Sequence, residues 1–352
     1  MSMRIKPVAL FAFICLCFTA AAQEGFTNKT EAKNELKNGL KEGKWMEYID
    51  QRDSITKDSS APFYRLTVYK AGKPLGYVKE YTKQGKISSS TPYLNGKING
   101  VVQKYWLNGS LFTEIPYTDG VINGVAKLYY STGELQQEIP CKNGKRNGVG
   151  KWYYKTGELQ SETPYTNDKK NGKEKEYFIN GKVKGECPYT DNKKNGRDTV
   201  YGEDGGIRGV CLYVNDKKEG MEKLYYTTAV IDLEIPYTND VKNGVEKEYY
   251  ESGGIKSETP YRSGQKDGLE KGYYSSGKLK SESPYTAGIL NGVQKEYYQD
   301  GKISTEFTCT NGKSNGEKKE YYENGNVMSV TTYTGGVATK TTNYDENGKE
   351  VK

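Results

Sequence analysis

Residues 148–171 read GVGKWYYKTGELQSETPYTNDKKN, and Gly172 starts the pattern again. The opening glycine recurs as Gly76, Gly100, Gly124, Gly148, Gly172, Gly196, Gly220, Gly244, Gly268, Gly292 and Gly316, always 24 residues apart. A fixed period over eleven copies marks a repeat architecture. Counted from that glycine, position 6 is Tyr in all eleven copies, position 7 is aromatic in nine and position 10 is Gly in ten, failing only at Ala229. Position 12 is always Ile, Leu or Val. Position 15 is usually Glu and position 17 usually Pro, while position 18 is Tyr except at Cys141 and Cys309.

Positions 2–7 and 11–18 are rich in Val, Tyr, Thr and Ile, which suit strands. Between them, runs such as Ser131-Thr132-Gly133 suit a tight turn with Gly in the left-handed position. Stretches such as 166–172 join one repeat to the next with turn-forming residues throughout. Each repeat therefore reads as a β-hairpin, and the frequent Gly and Pro exclude helix. The fold expected is all-β: an elongated, single-layer antiparallel sheet of tandem 24-residue β-hairpin repeats. Period-two alternation assigns positions 2, 6, 12, 16 and 18 to a packing face and positions 5, 7, 13, 15 and 17 to a polar one. Pro at position 17 lacks an N–H donor, so it belongs at a strand end or bulge.

Working outward, the segment 36–75 is a degenerate first repeat. Gly43, Trp45 and Tyr48 match its start, Arg65 to Tyr69 match its second half, and an insert lies around 51–62. Eleven regular repeats fill 76–339, and 340–352 reads as a C-terminal cap. Residues 23–35 read as a linker. Residues 1–22 have the form of a secretory signal peptide: Arg4 and Lys6, an apolar run over 8–18, and Ala20-Ala21-Ala22 at the cleavage site. The mature protein is expected to be exported, periplasmic or extracellular.

Composition narrows the function. The chain of 352 residues contains no histidine, which removes Ser-His-Asp and Cys-His catalysis, His-ligated zinc and imidazole pH switching. A net charge of +7, with Lys and Glu interspersed, is no nucleic-acid footprint. Cys15 and Cys17 leave with the signal. Cys141, Cys187, Cys211 and Cys309 remain without a Cys-x-x-Cys pair, so no metal site or other cofactor is expected. Cys187 and Cys211 both hold position 16, roughly 9–10 Å apart across two strand spacings, which is too far for a disulfide. They are expected to be unbridged packing residues.

The tandem pattern, shown by Tyr165, Asn171-Gly172, Lys175, Tyr177-Phe178, Gly181 and Val183, resembles the MORN repeat family. It is most similar to the bacterial variant often labelled after the YwqK antitoxin family. The resemblance implies a single-layer sheet of hairpins used as a scaffold for proteins or membranes. A smaller stretch, 150–159, resembles the choline-binding repeats of bacterial cell-wall proteins, although the chain has only three Trp.

Every repeat carries the same Glu and Tyr residues, whereas catalysis needs one asymmetric site, so no enzyme is expected. Tyr offers large contact area at low entropy cost. The position-7 row is the candidate partner-binding ladder: Trp106, Tyr130, Tyr154, Phe178, Tyr226, Tyr250, Tyr274, Tyr298 and Tyr322. The position-6 row is expected to be structural: Tyr81, Tyr105, Tyr129, Tyr153, Tyr177, Tyr201, Tyr225, Tyr249, Tyr273, Tyr297 and Tyr321. The partner expected is a protein or an envelope glycan. No nucleic acid is expected, and nothing in the chain supports contact with a membrane surface. An antitoxin and a cell-wall glycan binder are the alternative readings. The repeats opened by Gly196 and Gly220 break the consensus at Gly202, Val210, Leu212 and Ala229.

Overall fold

The computed structural model describes Phe26 and residues 28–351. The signal segment, with Cys15 and Cys17, lies outside the described residues, as does most of the linker. The chain divides into two compact bodies, one ending at Gly133 and the other beginning at Glu134. Each is built of antiparallel strands, and the helical turn Lys29–Glu31 precedes the first of them.

One repeat shows how the sequence builds the ladder. Gly172–Tyr177 forms the first strand and Val183–Thr190 the second. Between them Phe178 N donates to Lys182 O (2.9 Å) and Gly181 N to Phe178 O (2.9 Å). Gly181, at φ +80°, occupies the left-handed region that this tight turn needs. Asp191 and Asn192 follow with φ of 51° and 72°, the pair of positive values that defines a two-residue type I′ turn. The chain then pairs back through Lys193–Lys194. The stretch between repeats, expected to be turn throughout, thus contains a third, two-residue strand. This type I′ turn is also tied to the short strand of the preceding repeat. Asn192 N donates to Lys170 O (3.0 Å), and Asn192 Oδ1 accepts from Lys170 N (2.7 Å).

Proline explains why that third strand is so short. Pro164, near the end of Leu159–Thr166, accepts from Asn171 N (2.9 Å), and Gly172 turns away from it at φ +121°. A Cβ on Gly172 would lie 2.8 Å from Pro164 Cγ. Gly100, Gly124, Gly148, Gly196, Gly244, Gly268 and Gly292 face a proline the same way, at 2.7 to 3.0 Å. Where position 17 is Leu212 or Thr308, the following strand runs unbroken as Lys217–Tyr225 or Lys313–Tyr321. The break expected at proline is therefore passed to the neighbouring strand. Gly172→Ala should cost about 1–3 kcal/mol, from strain in a left-handed region and the clash with Pro164. Gly220→Ala, with nothing within 4 Å of its Cβ, should cost less. Urea unfolding of the two variants checks the order.

The strand register corrects the face assignment. Opposed residues share a face, and Glu174 pairs with Cys187, Lys175 with Glu186 and Lys173 with Pro188. Odd positions of the first strand therefore share a face with even positions of the second. Positions 16 and 18 lie with position 3, while positions 15 and 17 lie with 2 and 4. The expectation joined even positions to even ones and missed the odd offset that the hairpin imposes. A bulge between Glu176 and Tyr177 then brings position 6 opposite position 12, as Tyr177 to Val183.

A packed core exists in the first body, where Phe26, Leu66 and Tyr81 are buried against Ala32, Met46, Tyr64, Val68 and Ile87. Here Met46 and Leu66 stand where later repeats carry Lys at position 4 and Glu at position 15. That apolar spot accepts Phe26. The insert pairs Ile55–Thr56 back onto Tyr48 and Ile49. At the other end, Val337–Tyr344 pairs with Val327–Thr334 and then with Glu350–Val351.

Candidate binding face

One face carries positions 3, 5, 14, 16, 18 and 23. Its spine alternates rings and ammonium groups. Lys170 lies 4.7 Å over the ring of Tyr189, and Lys194, Lys218, Lys242 and Lys266 lie 4.8 Å over Tyr213, Tyr237, Tyr261 and Tyr285. Each lysine also pairs with the position-3 carboxylate of the next repeat: Lys170 with Glu174 (2.6 Å), Lys194 with Asp198 (3.1 Å), Lys218 with Glu222 (2.6 Å), Lys242 with Glu246 and Lys266 with Glu270 (2.7 Å). Burial pulls the Lys218 ammonium down, but the bond and charge of Glu222 more than offset it, so its pKa ends above the ordinary lysine value. Clefts open beside this spine. One of about 350 Å³ is lined by Trp152, Tyr154, Thr163, Tyr165, Lys170 and Glu174, among others. Another, of about 370 Å³, lies against Tyr250, Lys266, Glu270 and Tyr285.

The two tyrosine rows act as staples between repeats. At position 6 the hydroxyl reaches back to the Glu at position 15 of the preceding repeat. Tyr177 donates to Glu162 (2.9 Å), Tyr153 to Glu138 (2.9 Å), Tyr249 to Glu234 (2.8 Å) and Tyr321 to Glu306 (2.7 Å). Tyr129, Tyr273 and Tyr297 do the same with Glu114, Glu258 and Glu282. Tyr105, whose predecessor has Ser90 at position 15, donates to Gln103 (3.0 Å) instead, and Tyr81 stacks on Tyr64 at 5.2 Å. Burial, reinforced by the neighbouring carboxylate, pushes Tyr153, Tyr177, Tyr249, Tyr297 and Tyr321 up to about 12. At position 7 the hydroxyl reaches forward to the carbonyl at position 6 of the next repeat. Tyr154 donates to Tyr177 O (2.8 Å), Tyr226 to Tyr249 O (2.8 Å) and Tyr250 to Tyr273 O (2.7 Å). Tyr274 and Tyr298 follow the same rule, Tyr322 donates to Tyr344 O (2.9 Å) in the C-terminal segment, and Trp106 uses its indole Nε1 on Tyr129 O (3.2 Å). The nine candidate rings are all half-buried. Tyr154 and Tyr250 wall clefts of the face just described.

The repeat model described as MORN repeat variant matches residues 98–119, 122–143, 146–167, 170–191, 242–263, 266–287, 290–308 and 314–334. The chain belongs to the MORN repeat family. No curated protein matches it. Among solved structures, TcdB2-TccC3 is 14% identical over 82% of this chain and 18% of its own, with a TM-score of 0.18. The Photorhabdus luminescens Tc holotoxin pore is 12% identical over 80% of this chain and 20% of its own, at 0.15. The chain thus spans about a fifth of the length of these structures, and at such TM-scores the likeness carries no argument.

Cys141, Cys187, Cys211 and Cys309 are free thiols, as expected for Cys187 and Cys211 from their spacing. Burial raises Cys187 and Cys211 to about 11, so neither is a reactive thiolate at neutral pH. The spine of positions 3, 18 and 23 was missed in sequence. Its signal was there: a basic residue four before an acid, spanning the boundary between MORN repeats, as in Lys170 and Glu174.

Proposed function

We propose that the protein is an exported, non-enzymatic scaffold that holds a protein or envelope component along its aromatic rows. The observation that supports this reading is recurrence. Tyr at position 18, Lys at position 23 and an acid at position 3 repeat in five successive MORN repeats, with clefts beside them. A row of near-identical weak contacts sums along an extended partner, whereas chemistry wants one distinct constellation. Tyr154 and Tyr250 contribute their ring faces to the clefts, because their hydroxyls are engaged by the neighbouring backbone. The signal-like composition of residues 1–22 supports the export part of this reading.

Immobilised mature protein, challenged with envelope extract, should retain a discrete component. Replacing Tyr250, Tyr274 and Tyr298 by Ser, one after another, should lower that retention in steps while the strand signal in circular dichroism persists. Unchanged retention by the folded triple variant contradicts the ladder.

A further inference from the structure

The repeat opened by Gly196 has Gly202 at position 7, so it lacks the ring that walls the clefts at Tyr154 and Tyr250. Its own cleft, about 230 Å³, is lined by Val200, Gly209, Cys211, Leu224 and Arg208, among others. Val200 and Leu224 hold position 5, where Glu176, Glu248, Glu296 and Glu320 stand elsewhere. Val200 is 48% exposed. Gly209 keeps the cleft open, since a Cβ there would come within 3.2 Å of Leu224 Cδ2. The ion pair of Arg208 and Asp204 sits where a side chain on Gly202 would point, with Asp204 Oδ1 2.7 Å and the guanidinium 2.9 Å from the Cβ position. The carbonyls of Tyr177, Tyr249 and Tyr273 each accept a position-7 hydroxyl. Tyr225 O is denied that bond, because Gly202 has no side chain.

We propose that this cleft takes one aromatic side chain, a tyrosine or tryptophan, from a partner protein. The other repeats show the chemistry, because they supply the ring and its donor from within the chain. An incoming ring finds apolar contact on Val200 and Leu224, a guanidinium plane to stack on and the carboxylates of Asp198 and Glu222 to accept its O–H or N–H. The array already uses such stacking, with the Arg146 guanidinium 4.3 Å from the centre of the Tyr165 ring. This single site does not rest on the ladder reading. It stands or falls separately from the Tyr250, Tyr274 and Tyr298 series.

The probe is p-cresol, titrated into the full mature protein and followed by the methyl signals of Val200 and Leu224 in NMR. Saturable shifts at both are expected. Gly202→Tyr, at a backbone position outside the left-handed region, supplies the ring in cis and should abolish them without loss of fold. Val200→Glu, which restores the residue common at position 5, should also abolish binding. Absence of saturable shifts in the native protein, or equal binding by a folded Gly202→Tyr variant, overturns the proposal.

Discussion

Raising the pH from about 10 through about 12 should unfold the repeats of the second body. A free tyrosine loses its proton near 10. In the folded chain Tyr153, Tyr177, Tyr249, Tyr297 and Tyr321 hold theirs to about 12, because burial and a bonded glutamate both disfavour the phenolate. Between those values the unfolded chain releases protons that the folded chain keeps. The stabilisation is therefore complete below about 10 and is lost as the pH climbs through about 12. Against the downward pull of burial, Glu222 and its counterparts hold the spine lysines above the ordinary lysine value, so the stabilisation they contribute is likewise lost as the pH rises. Tyrosinate absorbance and the strand signal in circular dichroism should change together. Full ionisation near 10 with the strand signal intact would show that the position-6 hydroxyls are not engaged.

Tyr177→Ala should lower stability by about 2–4 kcal/mol, a half-buried version of the 3–5 typical of large aromatic truncations. Three losses combine. The ring leaves its place opposite Val183, Glu162 loses its hydroxyl donor, and the bulge between Glu176 and Tyr177 loses the side chain it presents. Because each repeat is held mainly by its neighbours, the damage should spread to the repeats opened by Gly148 and Gly196. Tyr177→Phe should cost about 1–2 kcal/mol, the share of a hydrogen bond to a charged acceptor. Urea melts of the two variants separate ring from hydroxyl.

The sequence made the fold legible because its punctuation is local. The Gly at position 10 and pairs such as Asn167-Asp168 determine turns by their own backbone preferences, and the period between them needs no partner to be seen. What escaped was relational. Whether position 6 shares a face with position 15 or with position 16 depends on the register across the hairpin, and an odd or even offset reverses the answer. The bulge before Tyr177 compounds this by changing parity within one strand. The consequence of Pro164 was hidden for the same reason, since proline interrupts the strand beside it rather than its own. The binding face suffered most. The rows at positions 6 and 7 were visible, but their hydroxyl partners lie one repeat away, and Lys170, Glu174 and Tyr189 meet only once that register is known.

The staple between position 6 and position 15 is the claim on which the two faces depend. A double-mutant cycle with Tyr177→Phe and Glu162→Ala, measured by urea unfolding, tests it most directly. The geometry predicts a coupling of about 1–2 kcal/mol, because each single change removes the same bond. Effects that simply add, to within about 0.5 kcal/mol, would contradict it and return Glu162 to the opposite face.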